Sequence, residues 1–421
     1  MGACFFTLFI TFIFSTTLFV VALNRYSKKR SHQLPPSPPQ FHSSATFYGS
    51  KPLIVIASHS LAHQALIANG AIFADRPQAI ATEKFLSCDQ HNITLAFYGP
   101  KWLRLRRNLT YNILHTSRIA SFAGARKWAL DALLNRLKSL SSSDEYHHTE
   151  IRDHIQNALF SLFTFICFGE KLEDMKIQDI KNLQRRLQSS FDEFKVLNLF
   201  PCLGKFVFLK RWEKLRQLRQ DQEKLMENRK LEEKEIVTLC SEFFTAGIDT
   251  TSTALEWIMA NLMKHPHIQD KLFKEIKGVV SDGEVEIKDE DLRKMPYLRA
   301  IILESLRRHP PSHFLIPHTV TKDVVLGGFL VPKNNIVIFM VVEMGRNPNL
   351  WENPMEFKPE RFLINGDFDI SGTKEIKMMP FRVGKRMCPA YRLAMLHLKY
   401  FVANLVWHFN FNVLGRRCGF D

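Results

Sequence analysis

The sequence predicts a mainly α protein with a minor α+β character, in which many helices form the body and only a few short strands occur. Apolar residues recur at helical spacing over residues 102–114, 125–140, 151–168, 177–194, 235–263, 268–280 and 297–308. Strand patterns are shorter and cover residues 52–57, 320–326 and 336–341, bounded by Pro, Gly or Asn. The 421 residues are 46% hydrophobic, which is enough for a large core. These observations favour a helical body with small β-sheets.

The first 24 residues carry no charged side chain and are rich in Phe, Leu and Ile. As a helix they would span roughly 36 Å, enough to cross the hydrocarbon core of a bilayer. Four basic residues follow between positions 25 and 30 and favour leaving that side in the cytoplasm. We therefore expect a transmembrane anchor at residues 1–24, a basic and Pro-rich linker at 25–50, and the body at 51–421. A cleaved signal peptide is the alternative, but its basic residues usually precede a shorter apolar run.

Charge and cysteine usage narrow the class of protein further. The formal net charge is +15, and the basic residues are mostly interleaved with acidic ones, as on solvated helix faces. A basic surface that faces an anionic membrane or an acidic partner protein is the sharper interpretation. The sequence contains no nucleic-acid recognition motif. Seven widely spaced cysteines without a CxxC pair argue against a zinc site or a disulfide framework.

The most informative cysteine is Cys388, in the segment Phe-Arg-Val-Gly-Lys-Arg-Met-Cys-Pro-Ala at residues 381–390. A helical pattern begins directly after it, and a helix start favours the thiolate form that an iron ligand requires. Gly384 would let the loop approach a flat macrocycle closely, and Arg386 could pair with a propionate. A buried structural cysteine is the alternative for Cys388 when it is considered alone.

A second element, Ala-Gly-Ile-Asp-Thr-Thr at residues 246–251, interrupts a long helical pattern. Gly, Asp and Thr are poor helix formers whose polar groups compete with the backbone ladder, so we expect a local kink. Such a kink could open a groove for dioxygen, with Asp249 and Thr250 as an acid–alcohol pair that relays protons. The alternative is an ordinary polar patch on a buried helix.

A third element combines Glu304 and Arg307, which lie three residues apart and share one helical face, with Arg361 further along the chain. Arg361 could add a second guanidinium to the Glu304 carboxylate. Because a buried Arg–Glu–Arg triad costs desolvation, it would fix register more than it adds stability. A surface ion pair between Glu304 and Arg307 is the alternative.

A fourth element is Trp102 with Arg106, four residues apart on one helix face. An indole N–H and a guanidinium on the same face could both reach propionates. A half-buried surface helix is the alternative for this pair when it is considered alone.

The four elements occur in the order typical of the cytochrome P450 family, and the sequence resembles that family over about residues 52–411. Residues 73–77 (Phe-Ala-Asp-Arg-Pro), 98–100 (Tyr-Gly-Pro), 316–318 (Ile-Pro-His) and 359–362 (Pro-Glu-Arg-Phe) look like those of plant microsomal, A-type members, above all the 89A-type group. Any one motif is a weak signal, whereas the ordered set is highly specific.

The resemblance implies a cytochrome P450 fold with haem b as cofactor and assigns roles to individual residues. It implies that Cys388 is the axial thiolate and metal ligand, and that Thr250 with Asp249 handles protons. Phe381 would also contact the haem. The propionates would be held by Trp102, Arg106, His318 and Arg386. The resemblance places His313, Phe314 and Leu315 beside the substrate.

The same resemblance implies a monooxygenase that inserts one oxygen atom from O₂ into a small lipophilic substrate in plant secondary metabolism. NADPH would supply electrons through a membrane-bound NADPH–cytochrome P450 reductase. Membrane lipid would hold the anchor in the endoplasmic reticulum, with the catalytic body in the cytosol.

Two features of the sequence depart from the family pattern. Arg382 and Ala390 stand where the cysteine loop usually has glycine, and Arg382 is damaging if that position needs a positive φ. We also expect the first strand of the family's sheet and a C-terminal hairpin to be missing. A non-catalytic or degraded haem-binding remnant is therefore the alternative function, and a membrane-anchored scaffold without haem is a third.

Overall fold

The computed structural model describes residues 43–48, 51–141, 151–194, 197, 207–227, 234–280, 284, 286–364 and 368–411. Two strands come first, β1 (Ser43–Tyr48) and β2 (Lys51–Ile56). Helices then follow one another along the chain. They are α1 (His59–His63), α2 (Ala81–Leu86), α3 (Pro100–Asn112), α4 (Thr116–Ser121), α5 (Ala123–Ser141), α6 (Ile151–Phe168), α7 (Asp174–Phe194), α8 (Leu209–Glu227), α9 (Lys234–Phe244), α10 (Thr250–Lys264), α11 (Pro266–Val279) and α12 (Pro296–Arg308).

Four short strands and two helices complete the described chain. The strands are β3 (His318–Thr319), β4 (Val324–Leu326), β5 (Phe329–Val331) and β6 (Ile336–Phe339). The helices are α13 (Val341–Arg346) and α14 (Tyr391–His408). The body is therefore mainly helical with two small sheets, as predicted. The helices α3, α5, α6, α7, α11 and α12 lie within a few residues of their predicted bounds, because their apolar stripes are long and regular.

The larger sheet has the strand order β1-β2-β6-β3, in which β1 is antiparallel to β2 and β2 is parallel to β6. The expectation that the first sheet strand is missing is wrong, because β1 pairs with β2 over its whole length. Residues 43–48, which were predicted to belong to the linker of residues 25–50, are therefore part of the sheet. The sequence does contain a pattern that predicts β1. Thr46, Phe47 and Tyr48 have high strand propensity, and they precede a Gly-Ser dipeptide typical of a two-residue hairpin.

Two hydrophobic cores meet at the cysteine loop. The larger core surrounds α10, where Leu255, Ile258 and Leu262 are fully buried against α6, α11, α12 and α14. The second core lies under the larger sheet and includes Val383 of the cysteine loop, whereas Phe381 packs against the first core. This arrangement holds the loop between the sheet and the helical bundle.

The predicted transmembrane anchor at residues 1–24 lies outside the described residues. Among the residues that are described, no helix combines the length and the apolar character needed to cross a membrane.

Candidate active site

The cysteine loop is closed by its own backbone. The Cys388 N–H donates to the Phe381 carbonyl oxygen at 2.8 Å, and the Met387 N–H donates to the Gly384 carbonyl oxygen at 3.0 Å. Gly384 has φ +69°, and a Cβ at this position would lie 2.2 Å from the Leu66 carbonyl oxygen. No larger residue fits there without moving the backbone. The loop is thus pinned, and it presents Cys388 directly before α14.

The Cys388 thiol is half-buried and lies in a field of positive charge. Burial raises its pKa, while the backbone N–H of Ala390 and the charges of Arg382 and Arg106 act in the opposite direction and favour the thiolate. A hydrogen bond at a helix start and nearby guanidinium groups are the surroundings expected of a thiolate ligand.

Arg382 has φ +60°, which is the left-handed region. Its N–H donates to the Met379 carbonyl oxygen at 3.0 Å and closes the turn that leads into the loop. The position therefore does require a positive φ, a point that the sequence alone leaves open. An L-residue with a Cβ pays on the order of 1 kcal/mol for this conformation, and glycine does not. Arg382 is strained where the family pattern has glycine.

Trp102, Arg106 and Arg386 come together around one indole ring. The Arg386 guanidinium lies 4.3 Å from the centre of the Trp102 ring, and the Arg106 guanidinium lies 5.8 Å from it. The Trp102 N–H donates to the Ile93 carbonyl oxygen at 3.0 Å. Trp102 and Arg106 thus share one helix face, as predicted, but the indole N–H is bonded to backbone, and their contact with propionates stays a prediction.

Arg386 is buried and donates to three backbone carbonyl oxygens, those of Ala74 at 2.7 Å, Ile93 at 3.3 Å and Ala96 at 2.6 Å. Burial, together with the charges of Arg382 and Arg106, lowers the pKa of Arg386 to about 10. The negative charge of Asp75 opposes this shift. A guanidinium has five N–H donors, so those not used here can still meet an anion.

His318 is 1% exposed, and its ring is hydrogen-bonded on one side only. Nδ1 lies 2.6 Å from the Phe73 carbonyl oxygen, whereas Nε2 has no hydrogen-bond partner among the described residues. Burial holds its pKa well below the ordinary value, and the charges of Arg76, Arg382 and Arg386 add to this. An unpaired buried nitrogen is rare in a folded protein and marks a place where a further group fits.

The kink predicted at residues 246–251 is observed as a π-helical turn, Thr245–Asp249, between α9 and α10. Gly247 lies where helix α6 packs closest, because a Cβ here would be 2.2 Å from the Phe163 ring. Thr250 is exposed, and its hydroxyl donates to the Ala246 carbonyl oxygen at 2.5 Å. The Asp249 carboxylate instead accepts a hydrogen bond from the Gln188 amide of α7. The two side chains thus bond to different partners.

Glu304, Arg307 and Arg361 meet as the sequence suggests. Arg307 donates from Nε to Glu304 Oε2 at 2.7 Å and from Nη2 to Oε1 at 2.8 Å, with both side chains fully buried. Arg361 Nε lies 3.4 Å from Glu304 Oε1. The Lys358 N–H also donates to Glu304 Oε1 at 2.9 Å. This network joins α12 to the segment before the cysteine loop.

The segment predicted to line the substrate pocket runs beside β6. Phe314 pairs with Met340, and the Leu315 N–H donates to the Phe339 carbonyl oxygen at 3.0 Å. The His313 carbonyl oxygen accepts from the Val341 N–H at 2.8 Å. Leu315 is buried and Phe314 is exposed, so their contact with substrate stays a prediction.

Three residues of the site were missed by the sequence reasoning. Glu242 accepts the N–H groups of Ile93 at 2.9 Å and Thr94 at 2.5 Å. Arg76 is buried and donates to the carbonyl oxygens of residues 94, 316 and 317, each at 2.9 Å. Arg76 lies in the Phe-Ala-Asp-Arg-Pro motif, which was a usable signal. In the sequence, the only unusual feature of Glu242 is that it is an acidic residue in an apolar helix. Nothing in the sequence indicates a role for Gln188.

Comparison with known proteins agrees with this architecture. A family profile described as Cytochrome P450 matches residues 42–230 and 223–418. Cytochrome P450 89A9 of Arabidopsis thaliana is 41% identical over 473 aligned positions, covering 96% of this chain and 92% of that protein. Cytochrome P450 93B2 of Gerbera hybrida is 29% identical and covers 97% of this chain and 92% of that protein.

Solved structures show the same fold. A zebrafish cytochrome P450 solved with progesterone superposes with a TM-score of 0.75 at 23% identity, over 90% of this chain and 91% of that chain. A second zebrafish structure, solved with abiraterone, gives a TM-score of 0.69 at 24% identity over 88% of each chain. The chain belongs to the cytochrome P450 family of haem-dependent monooxygenases, and it is 89A-like among the plant members.

Proposed function

We propose that this chain is a haem-dependent monooxygenase that inserts one oxygen atom from O₂ into a small lipophilic substrate. The observation that carries the proposal is the concentration of positive charge around Cys388. Arg76 and Arg386 are buried there, Arg106 and Arg382 are half-buried, and burial lowers the pKa of each of the four. Buried positive charge is costly unless an anion meets it.

The donor set fits haem b. Cys388 offers a sulfur ligand for iron, and Arg106, Arg386 and His318 offer donors for two propionates. His318 fits in particular, because a carboxylate beside its unpartnered Nε2 would favour the protonated ring, which donates from both nitrogens. Phe381 and Trp102 add aromatic surface at the same place. When bound, haem supplies the oxygen-activating chemistry, and a thiolate ligand promotes O–O cleavage.

Asp249 and Thr250 are the residues that we assign to proton handling. Burial raises the pKa of the Asp249 carboxyl, which brings it closer to the pH at which it can both accept and release a proton. The exposed Thr250 hydroxyl donates to the Ala246 carbonyl oxygen and can still accept a hydrogen bond from a water or a substrate hydroxyl.

The proposed electron donor is NADPH–cytochrome P450 reductase, which would dock on the side of the cysteine loop. A small apolar cluster of Leu114, Ile119 and Leu393 packs the end of α3, helix α4 and the start of α14 together. The same elements and the cysteine loop carry exposed basic side chains, namely Arg104, Arg107, Arg118, Lys385 and Arg392. A basic face close to Cys388 would steer an acidic partner to the shortest route for electrons.

The substrate class and the location are inferred from relatives and from the sequence. Lipophilic ligands occupy the two zebrafish structures. Plant relatives include a tabersonine/lochnericine 19-hydroxylase of Catharanthus roseus at 29% identity and a tryptamine 5-hydroxylase of rice at 28%. These names support hydroxylation of a small plant metabolite. The apolar residues 1–24 and the basic residues after them support anchoring in the endoplasmic reticulum.

The test is the reduced carbon-monoxide difference spectrum of the full chain expressed with haem supply. We expect the red-shifted Soret band of a thiolate-ligated haem in the unmodified protein and its complete loss in Cys388→Ser. The matched control is Cys88→Ser, where Ser retains the contact that Cys88 makes with the Thr238 hydroxyl at 3.1 Å. The control should keep the band. If Cys388→Ser kept the band as well, another residue would be the ligand.

A haem-binding remnant without turnover is the second candidate function, and two observations favour it. Arg382 is strained at φ +60° in the loop that must approach the haem. The alignment with the Arabidopsis relative spans 473 positions, so that relative contains internal segments without a counterpart in these 421 residues. A thiolate spectrum without NADPH-dependent product formation would support this candidate.

A further inference from the structure

Residues 92–96 form a turn between helices α2 and α3, which we call the 92–96 turn. Its own hydrogen bonds close it, because the Leu95 N–H donates to Asn92 Oδ1 at 2.9 Å and the Ala96 N–H donates to the Asn92 carbonyl oxygen at 3.2 Å. The turn belongs to no helix or strand that would fix its place in the fold. Its position therefore depends on the side chains that it contacts.

The carbonyl oxygens of the 92–96 turn accept hydrogen bonds from two side chains of the candidate site. The Ile93 carbonyl oxygen accepts from the Trp102 indole at 3.0 Å and from Arg386 at 3.3 Å. The Ala96 carbonyl oxygen accepts from Arg386 at 2.6 Å. The place of the turn thus determines how the Trp102 ring and the Arg386 guanidinium are oriented.

Two N–H groups of the same turn bond to helix α9 through Glu242. The Ile93 N–H donates to Glu242 Oε2 at 2.9 Å, and the Thr94 N–H donates to Oε1 at 2.5 Å. Burial raises the pKa of the Glu242 carboxyl, while the hydrogen bonds from Thr94 and Ile93 and the charge of Arg382 act in the opposite direction. Because a buried carboxylate is costly unless it is hydrogen-bonded, these bonds stabilise the charge at this position.

The peptide group between Ile93 and Thr94 joins the two sides of the turn. Its N–H end bonds to the Glu242 carboxylate, and its carbonyl end bonds to Trp102 and Arg386. A peptide dipole between an anion and a cation is favourable at both ends, and hydrogen bonds in such a chain strengthen one another. A change of charge at Glu242 is therefore transmitted to Arg386 through one peptide group.

We propose that Glu242 is a positioning residue for the haem pocket. By holding the N–H groups of Ile93 and Thr94, it sets the place of the 92–96 turn and hence the orientation of Trp102 and Arg386 toward the propionates. It acts through the peptide group and does not touch the haem itself. The inference rests on the proposed function, for which these two side chains must face a bound haem.

Glu275 of α11 makes the same pair of bonds elsewhere and serves as a matched control. Its carboxylate accepts the N–H groups of Tyr297 at 2.7 Å and Leu298 at 2.8 Å, and burial raises its pKa as well. It joins α11 to the start of α12, a helix that carries none of the residues assigned to the propionates. Glu275 is therefore a purely structural counterpart of Glu242.

The first experiment measures amide hydrogen exchange in the haem-loaded full chain. A glutamine offers one accepting oxygen and a donating NH₂ group, so it cannot accept both N–H groups of the turn. Glu242→Gln should therefore speed exchange at the Ile93 and Thr94 amides by about tenfold or more. Glu275→Gln should leave these two amides unchanged. Unchanged exchange at both amides in Glu242→Gln would refute the tie.

The second experiment measures the rate at which haem passes from the full chain to apomyoglobin in excess. Glu242→Gln should release haem about tenfold faster or more, because the donors for the propionates lose their fixed orientation. Glu275→Gln should release haem at the unmodified rate, although urea unfolding should show a loss of stability in both variants. Equal rates of release in Glu242→Gln and Glu275→Gln would refute the positioning role.

A milder pair of variants keeps the test decisive. Glu242→Asp retains the charge but is one methylene group shorter, so its rate of haem release should lie between those of the unmodified protein and Glu242→Gln. If Glu242→Gln does not fold, Glu242→Asp is compared with Glu275→Asp under the same criterion.

The outcomes separate this inference from the proposed function. Loss of the thiolate spectrum in the unmodified protein would defeat the function itself, whereas amide exchange at Ile93 and Thr94 reports on the tie in the haem-free chain as well. A normal thiolate spectrum together with equal haem release in Glu242→Gln and Glu275→Gln would refute the role of Glu242 alone.

Discussion

Two buried charge clusters, one around Glu304 and one around Cys388, differ in how their polar groups are paired. In the Glu304–Arg307–Arg361 cluster, both carboxylate oxygens of Glu304 accept hydrogen bonds from Arg307, and one also accepts a backbone N–H. In the Cys388 cluster, by contrast, the His318 Nε2 has no partner among the described residues, and Arg382 has a left-handed backbone. The Glu304 carboxylate is thus fully paired and forms part of the scaffold, although Arg361 Nε beside it makes only an ion-pair contact at 3.4 Å. In the Cys388 cluster, an unpaired nitrogen and a strained backbone occur together with a concentration of positive charge, which is the combination expected where an anionic ligand binds.

The largest effect is expected from breaking the paired cluster. Glu304→Ala leaves Arg307 buried without its partner, which should lower the free energy of unfolding by about 3–5 kcal/mol. The measurement is urea unfolding of the purified protein. The control is Glu193→Ala, because Glu193 forms an exposed pair with Lys214 at 2.6 Å and such pairs are worth about 0–1 kcal/mol. Equal losses in the two variants would mean that the Glu304 network is not a structural element.

The second prediction concerns His397 of α14, an unpaired group away from Cys388. His397 is fully buried, and neither ring nitrogen has a partner among the described residues. Burial lowers its pKa to about 3 from the ordinary 6.5, so the folded protein stays unprotonated at His397 while the unfolded chain takes up a proton. Its contribution to stability is therefore present above pH 6.5 and is lost as the pH falls toward 3.

Replacing this residue tests the sign of that dependence. Between pH 7 and pH 5 the unmodified protein should lose about 2 kcal/mol of stability through His397 alone. His397→Phe should remove this loss, since Phe keeps a ring against Phe163, now 5.9 Å from the imidazole. The free energy of unfolding of each protein is measured in urea at both pH values. The difference between the two values is independent of packing, because a change in packing affects both equally. The control is His267→Phe, at an exposed position, which should lose as much stability between pH 7 and pH 5 as the unmodified protein. If His397→Phe lost as much stability as this control, His397 would not be the source of the pH dependence.

The smallest effect is expected from relieving the strain in the Cys388 cluster. Arg382→Gly should raise the haem bound per polypeptide several-fold, because glycine adopts φ +60° without the cost of about 1 kcal/mol that a Cβ brings. Arg382→Ala is the matched variant, since it removes the charge but keeps the Cβ. Improvement in the glycine variant alone would assign the effect to the backbone. Equal occupancy in all three proteins would show that the strain is harmless.

The sequence was most informative where an interaction is local. Glu304 and Arg307 lie one helical turn apart, so their pairing follows from helix geometry. Poor helix formers at residues 246–251 indicated an irregularity, which is observed as the π-helical turn. The glycine of the family pattern drew attention to Arg382, but only the structure gives its φ of +60° and therefore its strain. Strand β1 was missed because a short strand gives a weak periodic signal.

The sequence by itself determined the fold class, the family and the order of the four elements, since periodicity and motif spacing are properties of neighbours along the chain. Only the tertiary structure decided the partners of the polar groups. Asp249 faces Gln188, which lies 61 residues away, and the Arg386 guanidinium meets carbonyl oxygens some 290 residues away. Such partners depend on how helices pack and on one extra residue in a helical turn, which rotates a side chain from one face to another.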